Sequence, residues 1–123
     1  MNYYNVKHVP IDDMVGKTFR SVENIDDEEL KFTTVDGECY TFYHSQDCCE
    51  SVSIEDICGD LADLENSMLL LAEESSNHED DENNYESVTW TFYKFSTIKG
   101  SVTVRWCGCS NGYYSEGVDL RLE

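Results

Sequence analysis

The sequence predicts an α+β fold, a mostly antiparallel sheet of about six to seven strands with one principal helix packed on one face. Apolar and aromatic residues alternate with polar ones along several stretches, which is typical of half-buried strands. Asp36-Gly37 and Asn111-Gly112 indicate hairpin turns, because these residue types tolerate positive φ. Four apolar residues share one face at the 3.6-residue period and predict the helix. They are Ile54, Ile57, Cys58 and Leu61.

The N-terminal third is predicted to hold an arm followed by three antiparallel strands. Residues 1–13 are polar and mixed, which is typical of a loosely attached arm. The chain of 123 residues has the length of one domain, so residues 1–123 are treated as a single unit. The three strands carry Phe19 and Val22, then Leu30 to Thr34, then Cys39 to Tyr43.

The middle of the chain is predicted to hold the helix, a short strand and an acidic loop. Ser53 supplies a hydroxyl that can cap the helix, and Gly59 limits its length. Residues 68–72 are apolar and predict a buried strand. Half of residues 73–86 are acidic, so this interval is predicted to be a solvated, mobile loop.

The C-terminal part is predicted to be two hairpins. Residues 87–96 give the clearest strand, and residues 102–107 return beside it. Asn111-Gly112 then turns the chain, and a bulge at Gly108 or Gly117 is needed to keep the apolar side chains in register. The pair that this bulge restores is Val104 with Leu120.

Charge narrows the possible partners. The 26 acidic and 8 basic residues give a formal net charge of −18, and such a field repels nucleic-acid backbones and attracts basic surfaces. No apolar run reaches the length of a membrane span, and the N-terminus lacks the apolar core of a signal peptide. We therefore expect a cytoplasmic protein that binds neither nucleic acid nor membranes.

Six cysteines in a chain without an export signal are predicted to be free thiols that act as small apolar groups. Cys48 and Cys49 are neighbours, and a bond between them would distort the backbone. A zinc site that joins either of them to Cys107 and Cys109 is a less favoured alternative, since one intervening residue is fewer than a zinc knuckle uses. No metal and no cofactor is predicted.

A catalytic thiol is also weighed at this place, because His44 lies close in sequence to Cys48 and Cys49. A nucleophilic cysteine needs a nearby base and a positive environment. Asp47 and Glu50 flank the two thiols and disfavour the thiolate. We therefore predict no catalytic residue and a protein that is not an enzyme.

The aromatic residues point instead to a ligand site. They are too many for one face of a small sheet, so about half are expected in the core, above all Phe92, Trp90 and Trp106. Tyrosine rings beside amides and a few cations are suited to holding a nucleotide by stacking and hydrogen bonding. The same surface is alternatively a subunit interface. The predicted ligand-binding residues are Tyr43, His44, Gln46, Lys94, Arg105, Asn111, Tyr113 and Tyr114.

Three runs of the sequence carry a family resemblance. They are YHSQDCCESVSIEDI at residues 43–57, TWTFYKF at 89–95, and RW with NGYYSE between 105 and 116. Over residues 14–120 the chain is similar to small acidic proteins of unknown function carried by phages and prophages. The resemblance implies production in an infected bacterial cell, and it transfers no catalytic residue.

These observations favour a phage-encoded, non-enzymatic counter-defence protein, a homo-oligomer that sequesters a small nucleotide immune signal of the cyclic nucleotide or cyclic ADP-ribose class. The alternative is an acidic DNA mimic that inhibits a host nucleic-acid-binding defence protein by covering its basic surface. Salt distinguishes the two hypotheses, because the binding of a charge mimic weakens steeply with ionic strength and an enclosed stacking site depends on it less.

Overall fold

The structure, a computed structural model, describes residues 7–81, 86–112 and 114–123, and within them it is a β-sandwich of two antiparallel sheets. The five-stranded sheet has the order β1-β9-β4-β3-β2, and the four-stranded sheet has the order β5-β8-β7-β6. The strands are β1 (Lys7–His8), β2 (Phe19–Ile25), β3 (Glu29–Thr34), β4 (Cys39–Tyr43), β5 (Ser51–Cys58), β6 (Leu71–Asp81), β7 (Glu86–Thr97), β8 (Gly100–Ser110) and β9 (Asp119–Leu122).

Aromatic rings from both sheets hold the sandwich together. Phe32 of β3 contacts Phe95 of β7 with ring centroids 4.9 Å apart, and Phe42 of β4 lies 4.6 Å from Tyr93. Trp106 of β8 is fully buried. Each fully buried side chain of this size stabilises the fold by roughly 1.5–3 kcal/mol. The predicted strands over β3, β4, β7 and β8 are confirmed, as is the hairpin at Asp36-Gly37.

The predicted α+β class is wrong, because the described residues contain no α-helix. The interval assigned to the helix is β5 followed by a 3-10 turn, Leu61–Leu64. A bulge explains the error. Ile54 pairs with Trp106 and Ile57 with Val104, so the two residues of β5 between them lie opposite one residue of β8, Arg105. This extra residue gives the apolar side chains the spacing of a helix.

Two segments predicted to be loosely held are parts of the sandwich. Within the arm predicted over residues 1–13, β1 pairs with β9 and a 3-10 turn begins at Ile11, while residues 1–6 lie outside the described part. The hydroxyl of Tyr40 donates to Asp13 at 2.7 Å. The loop predicted over residues 73–86 is instead strand β6 as far as Asp81, which pairs along its whole length with β7, and residues 82–85 are not described.

The second predicted hairpin does not form. β8 lies between β5 and β7, whereas β9 lies between β1 and β4 in the other sheet, so Val104 does not pair with Leu120 and no bulge joins them. Asn111-Gly112 begins a connection that carries the chain between sheets. Gly108 is needed for close approach, since a Cβ there would lie 2.6 Å from the carbonyl oxygen of Glu116.

The two connections that carry the chain from one sheet to the other after β4 and after β8 lie at one end of the sandwich. Residues 44–50 connect β4 to β5, and residues 111–118 connect β8 to β9. Tyr43 pairs with Asp119, and Ser51 pairs with Cys109, which brings the two connections side by side. We call this the crossover end. None of the helical segments in the described part of the chain is long and apolar enough to span a membrane.

Candidate functional site

The crossover end is organised around the buried carboxylate of Glu50. Its oxygens accept hydrogen bonds from the backbone N–H groups of Asp47 and Cys48, at 3.1 and 2.8 Å. The side chains of Gln46 and His44 each approach it at 3.0 Å. These donors belong to the same connection, so Glu50 fixes the shape of the residue 44–50 segment.

The pKa of Glu50 reflects this environment. Loss of solvent on burial raises it, but the hydrogen bonds from the Cys48 N–H, His44 and other donors outweigh that cost and lower the pKa to about 2. His44 also bonds the carbonyl oxygen of Gly117 at 2.7 Å. Both ring nitrogens of His44 therefore face acceptors, and the imidazole ties one connection to the other. His44, Gln46 and Glu50 have structural roles at this corner.

A second buried carboxylate, Glu116, lies in the other connection. It accepts hydrogen bonds from the hydroxyl of Thr89, at 2.8 Å, and from that of Ser110. His78 of β6 lies 4.0 Å from Glu116 and bonds Thr89 and Asp80 at 2.8 and 2.9 Å. This cluster joins β6, β7, β8 and the residue 111–118 connection, so its hydrogen bonds also serve the fold.

The other predicted residues at this end are partly engaged. The ring of Tyr43 is covered by the guanidinium of Arg121, 4.5 Å from its centroid, and its hydroxyl bonds His8 at 2.9 Å. Asn111 lines a groove of about 430 Å³ with Glu86 and Cys109 among its neighbours. Tyr114 is half-buried, and its carbonyl oxygen accepts from Ser110. Tyr113 lies outside the described residues.

Exposed carboxylates surround the crossover end, because the turn between β2 and β3, the last residues of β6 and the first residues of β7 also lie there. Such a field opposes a phosphate-bearing ligand at His44 or Asn111. Arg121, beside this end, is paired with Glu29 at 3.3 Å and with Glu123 at 2.9 Å. The exposed acids are Asp26, Asp27, Glu28, Asp47, Glu79, Asp80, Glu86 and Asp119.

Lys94 and Arg105 lie elsewhere, on the outer face of the four-stranded sheet. Trp90 and Phe92 share that face with them and are partly exposed, so their assignment to the core is wrong, while Trp106 is confirmed in it. The alternation of β7 carries the signal that identifies this face. The row that holds Trp90 and Phe92 also contains the charged Lys94 and the polar Ser96, whereas the opposite row holds the buried Tyr93 and Phe95.

We call Trp90, Phe92, Lys94 and Arg105 the aromatic–cation platform. The guanidinium carbon of Arg105 lies 5.2 Å from the Trp90 ring centroid, and the group also pairs with Glu55 at 3.2 Å. In the described part of the chain, Arg105 Nε is buried without a hydrogen-bond acceptor. A partly exposed indole, a second ring and two cations thus lie together in one surface.

A groove of about 650 Å³ adjoins the platform, within the range that small-molecule sites occupy. Phe92 and Lys94 of β7 and Thr103 of β8 line it together with Glu73 and Glu74 of the neighbouring strand β6, and Asp12 lines it from the 3-10 turn. Glu73 pairs with Lys94 across the strands, and Glu74 accepts a hydrogen bond from the hydroxyl of Tyr93 at 2.8 Å. The groove therefore offers the ring of Phe92 for stacking and the ammonium group of Lys94 for an anion. Its carboxylates can accept hydrogen bonds from ribose hydroxyls or from the N–H groups of a base.

The cysteines differ from the prediction of six free thiols. Cys48 and Cys49 are joined in a disulfide, whereas Cys39, Cys58, Cys107 and Cys109 are free. No group of three or more His, Cys, Asp or Glu side chains that could hold a metal occurs among the described residues, so the zinc site that would join the two pairs is not assembled there.

The fold and its sites define a small acidic β-sandwich protein with a solvent-facing aromatic–cation platform. By its sequence the chain belongs to a family described as a domain of unknown function (DUF7448), whose model matches residues 12–120. No curated protein and no solved structure matches the chain.

Proposed function

We propose that this protein is a non-enzymatic, phage-encoded counter-defence protein that binds a small nucleotide-type immune signal on the aromatic–cation platform. The observation that supports the proposal most is the position of Trp90, Phe92, Lys94 and Arg105 on one face, beside the 650 Å³ groove. Base–aromatic stacking contributes roughly 1–3 kcal/mol per base, and Lys94 and Arg105 are suited to phosphate oxygens. The phage setting comes from the family resemblance.

The charges of the groove favour one subclass of nucleotide. Lys94 lines the groove, and Arg105 lies beside it and is already paired with Glu55, so the two cations can balance at most about two phosphate charges. Asp12, Glu73 and Glu74 repel further ones. Carboxylates hydrogen-bond well to ribose hydroxyls, as they do in dinucleotide sites. A ligand with few phosphates and several free hydroxyls, such as a cyclic ADP-ribose isomer, fits this balance better than a linear triphosphate.

We expect a homo-oligomer when the ligand is bound. A sheet face open to solvent shields little of a nucleotide, whereas small-molecule sites bury most of their ligand. A second copy placed over the platform would enclose it. Light scattering with and without ligand measures this, and a monomer in both states would contradict the oligomer.

Calorimetry with cyclic dinucleotides and cyclic ADP-ribose isomers tests the site. We expect Trp90→Ala to weaken binding roughly tenfold or more, because it removes the stacking surface. Lys94→Ala and Arg105→Ala should each weaken it and reduce its salt dependence. Lys99→Ala is the matched control, since Lys99 is an exposed cation in the β7–β8 turn, bonded to the Glu65 carbonyl. Absence of heat and of any thermal shift with every ligand would refute the proposal.

A second candidate rests on the exposed carboxylates of the crossover end. Their concentration at one end favours an acidic surface that covers the basic site of a host nucleic-acid-binding defence protein. Displacement of DNA from a small basic protein of the HU class tests this. We expect displacement at low salt and its loss at high salt. Replacing Asp26 and Glu28 by their amides should weaken it more than the same change at Asp36 and Glu38, which lie at the opposite end.

A further inference from the structure

Two thiols lie together on the outer face of β8. Cys107 and Cys109 alternate with the buried Trp106 and Gly108, so both side chains point away from the core. Their sulfur atoms are 3.8 Å apart. Cys109 is exposed and Cys107 is half-buried, so the pair is open to solvent on one side. The nucleotide proposal makes no use of these two side chains.

The spacing of this pair suits a bridging ion better than a disulfide. Residues two apart on an extended strand have Cα atoms roughly 6.6–6.8 Å apart, at the upper limit for a disulfide. Metal–thiolate bonds of about 2.3 Å, in contrast, can meet from two sulfurs at the observed separation. Rotation about χ1 adjusts the sulfur separation to the angle that an ion prefers.

We propose that Cys107 and Cys109 form a two-thiolate site for a soft, thiophilic metal ion of the Cu(I) class. Soft thiolate donors select Cu(I) and Zn(II) among common ions. Zn(II) usually takes four protein ligands in structural sites, and no group of three or more suitable side chains occurs in the described part of the chain. Two thiolates are a smaller donor set, which a soft monovalent ion accepts more readily.

The binding step is an exchange of protons for the ion. Each thiol loses its S–H proton to solvent as its sulfur bonds the metal, and no electron is transferred. Burial, and then the hydrogen bond with Cys109, raise the pKa of Cys107 to about 12, with a smaller contribution from Glu55.

The chain offers matched controls for each part of the proposal. Cys58 is exposed but is a single thiol at the end of β5, and Cys39 lies in the other sheet beside the hydroxyl of Thr41. Cys48 and Cys49 form the other close pair of sulfurs, and this pair becomes a dithiol under reducing conditions. The Cys48→Ser/Cys49→Ser double variant tests whether this pair binds the metal ion instead.

The experiment titrates the reduced full-length protein with Cu(I) held by the chromogenic chelator bicinchoninate. We expect the wild type to withdraw one Cu(I) per chain, and Cys107→Ser and Cys109→Ser each to lose this capacity. Cys58→Ser and the Cys48→Ser/Cys49→Ser double variant should retain it. Thermal melting of each variant shows that it is folded, so that a loss of capacity reports on the site.

Three outcomes of the Cu(I) titration overturn the proposal. They are a wild type that withdraws no Cu(I), a Cys107→Ser/Cys109→Ser double variant that still withdraws it, and a loss of capacity on removal of Cys48 and Cys49. A parallel titration with Zn(II) tests the class of ion, and Zn(II) held tightly while Cu(I) is not would also overturn it.

Discussion

The crossover end and the aromatic–cation platform differ in how completely their polar groups are satisfied. At the crossover end, Glu50 accepts from several donors and both nitrogens of His44 are bonded. On the platform, the ring of Trp90 is partly exposed, Lys94 is exposed, and more than a third of the Arg105 side chain is open to solvent. Buried groups whose hydrogen bonds are complete hold a fold together, whereas exposed rings and incompletely paired cations remain available to a ligand.

A sequence motif rich in reactive side chains is therefore a different feature from a surface that can bind a ligand. The motif between His44 and Glu50 contains an imidazole, an amide, carboxylates and two sulfurs, and most of these groups bond one another. The platform contains ordinary strand residues. The platform can hold a ligand because these side chains point outward from one face of the sheet. Substitutions at the crossover end should therefore lower stability, and substitutions on the platform should lower ligand binding.

The largest expected effect is on stability at the crossover end. Glu50→Ala removes the acceptor of several buried donors, and we expect the thermal midpoint to fall by roughly 10 °C. Asp47→Asn is the matched control, because only its backbone N–H bonds Glu50 and its side chain is exposed. Circular dichroism melts measure both variants. Equal midpoints would mean that Glu50 does not organise this end.

The acid dependence of stability sharpens the same point. The pKa of Glu50 in the folded protein is about 2, below its ordinary value of 4.5, so the ionised carboxylate favours folding. Its contribution is complete above about pH 4.5 and is lost as the pH falls toward 2. We expect the difference in midpoint between wild type and Glu50→Gln to be constant near neutrality and to shrink across this window. A difference that stays constant down to pH 3 would contradict the lowered pKa.

A smaller loss of stability is expected at Gly108 of β8, where the residue 111–118 connection passes close to the strand. Gly108→Ala would place a Cβ 2.6 Å from the Glu116 carbonyl oxygen, so the backbone must shift, at a cost of about 1–3 kcal/mol. Gly117→Ala meets only the Ser115 hydroxyl at 3.6 Å and should change stability by less than about 0.5 kcal/mol. Urea denaturation of the two variants measures the contrast, and equal losses would argue against the close approach.

The smallest effect on stability is expected on the platform. Arg105→Met removes an ion pair whose two side chains are both more than a third exposed, and such pairs contribute about 0–1 kcal/mol. Glu55→Gln breaks the same pair from the other side and is the control. Both variants should melt close to the wild type, while only Arg105→Met removes a cation from the proposed site. A large loss of stability in either would place the pair among the structural groups.

Local sequence determined much of this fold. Alternation identified β3, β4, β7 and β8, and Asp36-Gly37 identified the turn between β3 and β4, because side-chain direction in a strand and positive φ at a turn are properties of neighbouring residues. The small number of basic residues in the sequence also identified Lys94 and Arg105 as candidate cations of a binding site.

Only the tertiary structure decided how these strands pair. A bulge in β5 gave Ile54 and Ile57 the spacing of a helix, and pairing with β7 holds the acidic residues of β6 in a strand. The chain passes between sheets after Asn111, a choice that depends on which partners β8 and β9 find far away in sequence. Alternation places Trp90, Phe92 and Lys94 on one face of β7, but long-range pairing decides which face of a strand meets solvent, so only the tertiary structure decided that this face is the outer one.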